Sequence, residues 1–169
     1  MAKLKMYKVG SKVVHPAHGA GVISSVEQKD VLDDFNRYYV IDLAAQDMTL
    51  MVPVRMAEEI GLRRVATKKS AKQIMEILGS EAKTLPDDFK KRQALVHDRL
   101  REGSTEALAE VVRDMASRGH SKTYSPTEAR VFEQARGMLG GEMALALGIE
   151  VATALSRIDA QVAEPESDD

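Results

Sequence analysis

The chain has 169 residues, of which 44% are hydrophobic, 30% charged and only 4% aromatic, with no Cys and no Trp. Its 24 Lys and Arg stand against 26 Asp and Glu, a formal net charge of -2 at pH 7. That composition excludes wholesale disorder, a disulfide framework, a thiolate centre and the global basic signature of many nucleic-acid binders, so any contact with a polyanion must come from a local patch.

In chain order, the basic N-terminus lacks the apolar run of a signal peptide. No segment reaches about 18 uninterrupted apolar residues, so no membrane span is expected. From Tyr7 to about Val65 the chain reads as short strands: Val13-Val14, Val22 to Val26, Tyr38 to Leu43 and Met48 to Val52, rich in β-branched and aromatic residues. Pro53 has no N–H and belongs at a strand end or edge. Strands this short and this frequent suggest a small SH3-like or Tudor-like barrel.

From Ser70 onward the pattern turns helical. Ser70 can cap a helix through Leu78. Pro86-Asp87-Asp88 opens a second, carrying Leu95, Val96 and Leu100, and Gly103 ends it. Ser104 starts a third with Leu108, Val111, Val112 and Met115 inward, closed by Gly119. Ser125-Pro126-Thr127-Glu128 is a capping box that begins a long helix to Leu147. Gly140-Gly141 inside it calls for close approach of another helix. A last helix covers about Val151 to Val162, and the acidic tail from Glu164 to Asp169 is expected to be disordered. The fold class is therefore α+β: a small Tudor/SH3-like β-barrel in 1–66, an all-α helical bundle in 67–163, and the tail 164–169.

Chemistry is sought first at Val13 to Ile23. His15 and His18 are too few for a zinc site without further ligands. The glycines that follow precede a strand, where a phosphate loop would precede a helix. The stretch reads as a tight turn, with Pro16 fixing φ and Gly19 and Gly21 allowing special backbone geometry. No metal, no cofactor and no catalytic constellation is expected. Glu106, Glu110 and Asp114 share a helix face and read as solvent-facing acids. In the helical half, Phe89 stands just before Lys90, Lys91 and Arg92. Exposed, Phe89 would stack on or wedge between bases while the cations meet phosphates; buried, it would be a core residue beside a solvated charge run.

Lys8-Val9-Gly10, Val13-Val14-x-Pro16-x-His18-Gly19-x-Gly21, Val52-Pro53, Gly61-Leu62-Arg63, Ala109 to Asp114, Ser125 to Arg130, Ala135-Arg136 and Glu142 to Ala146 together resemble the CarD/CdnL family of bacterial transcription regulators, from Tyr7 to Leu147. The resemblance implies a Tudor-like domain that binds the β subunit of RNA polymerase, as in transcription-repair coupling factors. It implies a helical domain that touches promoter DNA at the upstream edge of the bubble and stabilises the open complex, with no catalysis. The family's wedge Trp aligns with Phe89, and Lys90, Lys91 and Arg92 match its basic stretch. Lys29, Val31 and Met51 fall on the polymerase-facing surface, Met51 where some relatives carry Arg, and His15 stands where relatives have Tyr. A cytoplasmic monomer, drawn to the nucleoid through polymerase, is expected. The competing reading is a protein- or RNA-binding adaptor of the same fold with Phe89 in the core; a third is a metal-dependent enzyme using His15 and His18.

Overall fold

The structure, a computed structural model, describes residues 6–32 and 35–162, with the side chains of 30–36 left out. The side chain of Val31 and the acidic tail therefore lie outside the described residues. Five strands, β1 (Lys12–His15), β2 (Gly19–Leu32), β3 (Phe35–Leu43), β4 (Thr49–Pro53) and β5 (Arg63–Arg64), form one antiparallel sheet in the order β4-β3-β2-β1-β5. A short helix α1 (Ala57–Ile60) precedes β5; then come α2 (Lys68–Gly79), α3 (Phe89–Arg101), α4 (Thr105–Ser121), α5 (Pro126–Leu147) and α6 (Val151–Gln161). The class is α+β.

The closed barrel expected from the sequence is not formed by the described residues. β4 and β5 are the two ends of the row and do not pair with each other. β5 is only two residues long and pairs β1 on one edge, with its other edge facing no strand among the described residues. Inside the sheet half, Val13, Ile23, Tyr39, Ile41, Val52 and Leu62 form a dry cluster. Tyr7 seals it: its N–H donates to the Tyr39 hydroxyl at 2.9 Å and its own hydroxyl donates to the Leu62 carbonyl at 3.0 Å. Val14 and Val22 alternate onto the opposite face because strand side chains alternate; Val22 is half-buried and Val14 lines a cleft against the helices.

The turn at His15–Gly19 is a hairpin connection. Gly19 has φ +91°, a left-handed value that L side chains rarely adopt. Gly21 serves a different need: a Cβ there would lie 2.5 Å from the Asp42 carbonyl oxygen and 2.6 Å from Ile41 Cγ2.

The helices pack a second cluster around Ile74, Leu78, Val112, Leu139, Met143 and Ile158. α2 begins earlier than expected: Thr67, not Ser70, is the cap, and its hydroxyl accepts the Ser70 N–H at 3.1 Å. α4 runs past Gly119 to Ser121, the glycine instead leaving room for the Tyr124 ring. Gly140 does meet another helix, since a Cβ there would lie 2.5 Å from Leu155 Cδ2 on α6. No single helix among the described residues is long and apolar enough to cross a membrane.

Sheet and helices meet at a buried carboxylate. Glu142, fully buried in α5, accepts both terminal nitrogens of Arg63 at 2.8 Å each, the Ala66 N–H at 2.9 Å and the Thr105 hydroxyl at 2.9 Å. Arg63 Nε donates to the Gly103 carbonyl at 2.6 Å. An ion in a dry interior is tolerable only with this degree of satisfaction. The same junction carries a bond from Lys12 Nζ to the Leu145 carbonyl at 3.0 Å.

Candidate functional site

Phe89 opens α3, and 46% of it is exposed. The reading that buries it in the core is thereby overturned. Its placement starts locally: Asp88 is the N-cap, its carboxylate accepting the Lys91 N–H at 2.9 Å, which also sets an anion against the positive end of the helix. Lys90 and Lys91 follow on the first turn and are exposed.

Arg92 departs from its expected role. It is 7% exposed, and its guanidinium turns inward rather than to a phosphate. Nη1 donates to the Pro86 and Asp87 carbonyls at 2.9 and 2.8 Å, and Nη2 to Glu128 Oε1 at 2.7 Å. Its central carbon lies 5.7 Å from the Phe89 ring centroid, within cation–π range. The physical reason is the neighbouring acid: a buried guanidinium needs a buried carboxylate, and α5 supplies one in Glu128.

The segment between α2 and α3 is braced along its length by charged side chains of α4. Arg113 Nη1 donates to the Ser80 hydroxyl at 2.9 Å, and Asp114 accepts the Lys83 N–H at 2.9 Å. Arg113 Nε and Arg99 also donate to Asp114, at 2.8 and 3.4 Å, and Arg99 to Glu110 at 3.0 Å. Arg118 stands 3.8 Å from Asp87. Asp114, read from spacing as a solvent-facing acid, is 2% exposed and belongs to this brace.

On the sheet, two expected surface residues come together. Lys29 Nζ lies 3.7 Å from Met51 Sδ and 3.6 Å from Glu27 Oε2. Met51 is 40% exposed and sits on β4, an end strand whose outer edge has no partner among the described residues. The histidine turn gathers no third ligand: among the described residues no group of three or more His, Cys, Asp or Glu is placed to hold a metal. His15 and His18 have ring centroids 4.8 Å apart, and His15 Nδ1 already accepts the Ala17 N–H at 3.0 Å. Burial, and then the neighbouring His18, push the His15 pKa below its ordinary value. A cleft of about 480 Å³ between this turn and α3–α5 is lined by His97, Leu100, Val131 and Met138 among others, with no carboxylate in its wall.

Sequence reasoning missed Glu128, Glu142 and Asp114 as structural acids. Glu142 was signalled by a lone charge in the small and apolar run Gly140 to Leu147. Glu128 was masked by the capping box: Ser125 Oγ does accept the Glu128 N–H at 3.1 Å, but the carboxylate is spent on Arg92.

The described residues thus form an open sheet with β4 at one end, joined to helices that hold out Phe89 beside Lys90 and Lys91. Residues 7–66 match the CarD-like/TRCF RID domain and residues 73–159 the CarD C-terminal domain. The chain belongs to the CarD family, which makes it a transcription regulator, and its first matched domain is of a class that interacts with RNA polymerase. It is 32% identical over 146 residues to YdeB of Bacillus subtilis (strain 168), named as a candidate transcription factor, across 85% of this chain and 94% of that protein.

Proposed function

We propose that the sheet half docks on the β subunit of RNA polymerase and the helical half presents Phe89 to promoter DNA at the upstream edge of the bubble, stabilising the open complex. The observation that carries this reading is the exposed Phe89 plate on a braced helix start, flanked by Lys90 and Lys91. An aromatic of that kind can stack on a base or enter an opened step, while the cations approach phosphate. A stabiliser forms no bond in the substrate. It binds the melted state better than the closed one, and a difference of about 1.4 kcal/mol changes the open-to-closed ratio tenfold.

Two domains divide the work, 1–66 for polymerase and 67–163 for DNA. The meander with its returning β5 suits an incompletely closed Tudor-like barrel. The face carrying Lys29 and Met51, beside the unpaired edge of β4, offers both side chains and free backbone groups to a partner strand. Val31 extends this surface in the sequence. A nearly neutral chain gains little from DNA alone, so polymerase supplies the effective concentration. The protein acts as a monomer in the cytoplasm, at the nucleoid through polymerase.

The test is binding of the full chain to the polymerase β subunit. Lys29→Glu/Met51→Glu should weaken it about tenfold or more, the size of a small hot spot. Undiminished binding by this variant removes the surface from the proposal, and failure of the parent chain to bind β overturns the polymerase reading altogether.

A further inference from the structure

Phe89 is an exposed side chain at the first position of a helix, the place where a helix frays most easily. A wedge in that position needs support from behind. The support is specific. Arg92, one turn on, lies beneath the ring at 5.7 Å, and both of its terminal nitrogens are engaged elsewhere: Nη1 on the Pro86 and Asp87 carbonyls, Nη2 on Glu128. The Arg92 and Glu128 side chains are 8% and 4% exposed. Arg92 Nε is buried without a partner. Glu128 belongs to α5, whose other end is fixed to the sheet through Glu142.

We propose that Glu128 is a positioning residue for the wedge: through Arg92 it fixes the direction of the Phe89 ring and the entry of the chain into α3. The functional side of this inference rests on the reading of Phe89 as the plate that meets the bubble; its structural side does not. Glu128 does not touch DNA, and Arg92 is not a phosphate contact.

The experiment begins without DNA. The chain has no Trp, so Phe89→Trp creates a single indole at the plate, excited at the red edge where its four Tyr do not absorb. Time-resolved anisotropy of the full-length protein reads its local motion on the nanosecond scale. With Glu128 intact the indole should be restricted. Adding Glu128→Gln should open a fast, larger-amplitude motion, while circular dichroism and the thermal transition report a folded chain. Should Glu128→Gln fail to fold because it strands the Arg92 charge, Arg92→Met/Glu128→Gln removes both charges and should release the indole in the same way. An unchanged anisotropy decay in a folded variant overturns the proposal.

With polymerase and promoter, Glu128→Gln should shorten the open-complex lifetime about two- to fivefold, the size of a lost cation–π support. It should have no further effect on a Phe89→Ala background. Arg92→Met should shorten the lifetime while keeping the salt dependence, whereas Lys90→Ala should lower the salt slope by about 0.9. A slope that falls equally in Arg92→Met makes Arg92 a phosphate contact and overturns the assignment. If Phe89→Ala itself leaves the lifetime unchanged, the wedge reading fails, and the anchor stands or falls on the anisotropy alone.

Discussion

Two buried carboxylates stand near opposite ends of α5, about 21 Å apart along the axis at 1.5 Å per residue. They are used in different ways. Glu142 receives four hydrogen bonds from Arg63, Ala66 and Thr105 and joins sheet to helices. Glu128 receives one from Arg92, which reaches on to an exposed ring and leaves its own Nε unsatisfied. The first acts as a rivet between two apolar clusters that otherwise have separate cores. The second is a mount for a surface tool.

The strongest way to break this comparison is to remove each acid. Glu142→Gln should cost about 3 to 5 kcal/mol, because it leaves Arg63 without a counter-charge and presents amide hydrogens to groups that donate. Chemical denaturation followed by a sheet probe and a helix probe should then show two separated transitions. Glu128→Gln removes the counter-charge of Arg92, but Arg92 keeps two backbone carbonyls and the new amide oxygen can still accept its Nη2, so the loss should be smaller, about 2 kcal/mol, and confined to the helical probe. A larger loss from Glu128 than from Glu142 would reverse the roles assigned.

Two of the close-packed glycines, Gly21 and Gly140, sharpen the same contrast between rigid and yielding neighbours. Gly21→Ala drives a methyl against the Asp42 backbone and should destabilise by about 1 to 3 kcal/mol. Gly140→Ala meets the Leu155 side chain, Cδ2 at 2.5 Å and Cγ at 2.9 Å, which must turn aside as a whole, and gains up to about 1 kcal/mol of helix propensity. Its net effect on the melting temperature should be small; a large drop would mean that Leu155 is held as firmly as backbone.

The smallest effect is titrimetric. His15 is held below its ordinary pKa by burial and by His18. The unfolded chain then binds more protons than the folded one between the lowered folded pKa and about 6.5, so stability is present above that window and is lost as pH falls through it. His15→Gln should flatten this slope. Stability that instead rises on acidification through the window would contradict the assignment.

Element types were readable because they depend on local pattern. The Ser104 and Ser125 caps and the start of α6 stand where spacing put them, and Tyr38 to Leu43 is a strand. What failed depended on distant partners. Arg92 looked like part of a cation run until Glu128, 36 residues away, turned it inward. Asp114 looked solvent-facing on its own helix, and its burial depends on the Lys83 N–H, 31 residues away, together with Arg113 and Arg99. Strand number suggests a barrel, but closure depends on whether the two end strands, β4 and β5, pair with each other, which is a long-range matter. Phe89 was ambiguous from spacing, since exposure at a helix start depends on what packs over it.

The most direct test of the central claim is the lifetime of the promoter open complex with full-length protein and with Phe89→Ala, at matched occupancy of polymerase. Loss of one stacked aromatic is worth about 1 to 3 kcal/mol, so Phe89→Ala should shorten the lifetime roughly tenfold or more while binding to β is unchanged. Equal lifetimes, with the variant folded and bound to polymerase, would contradict the account.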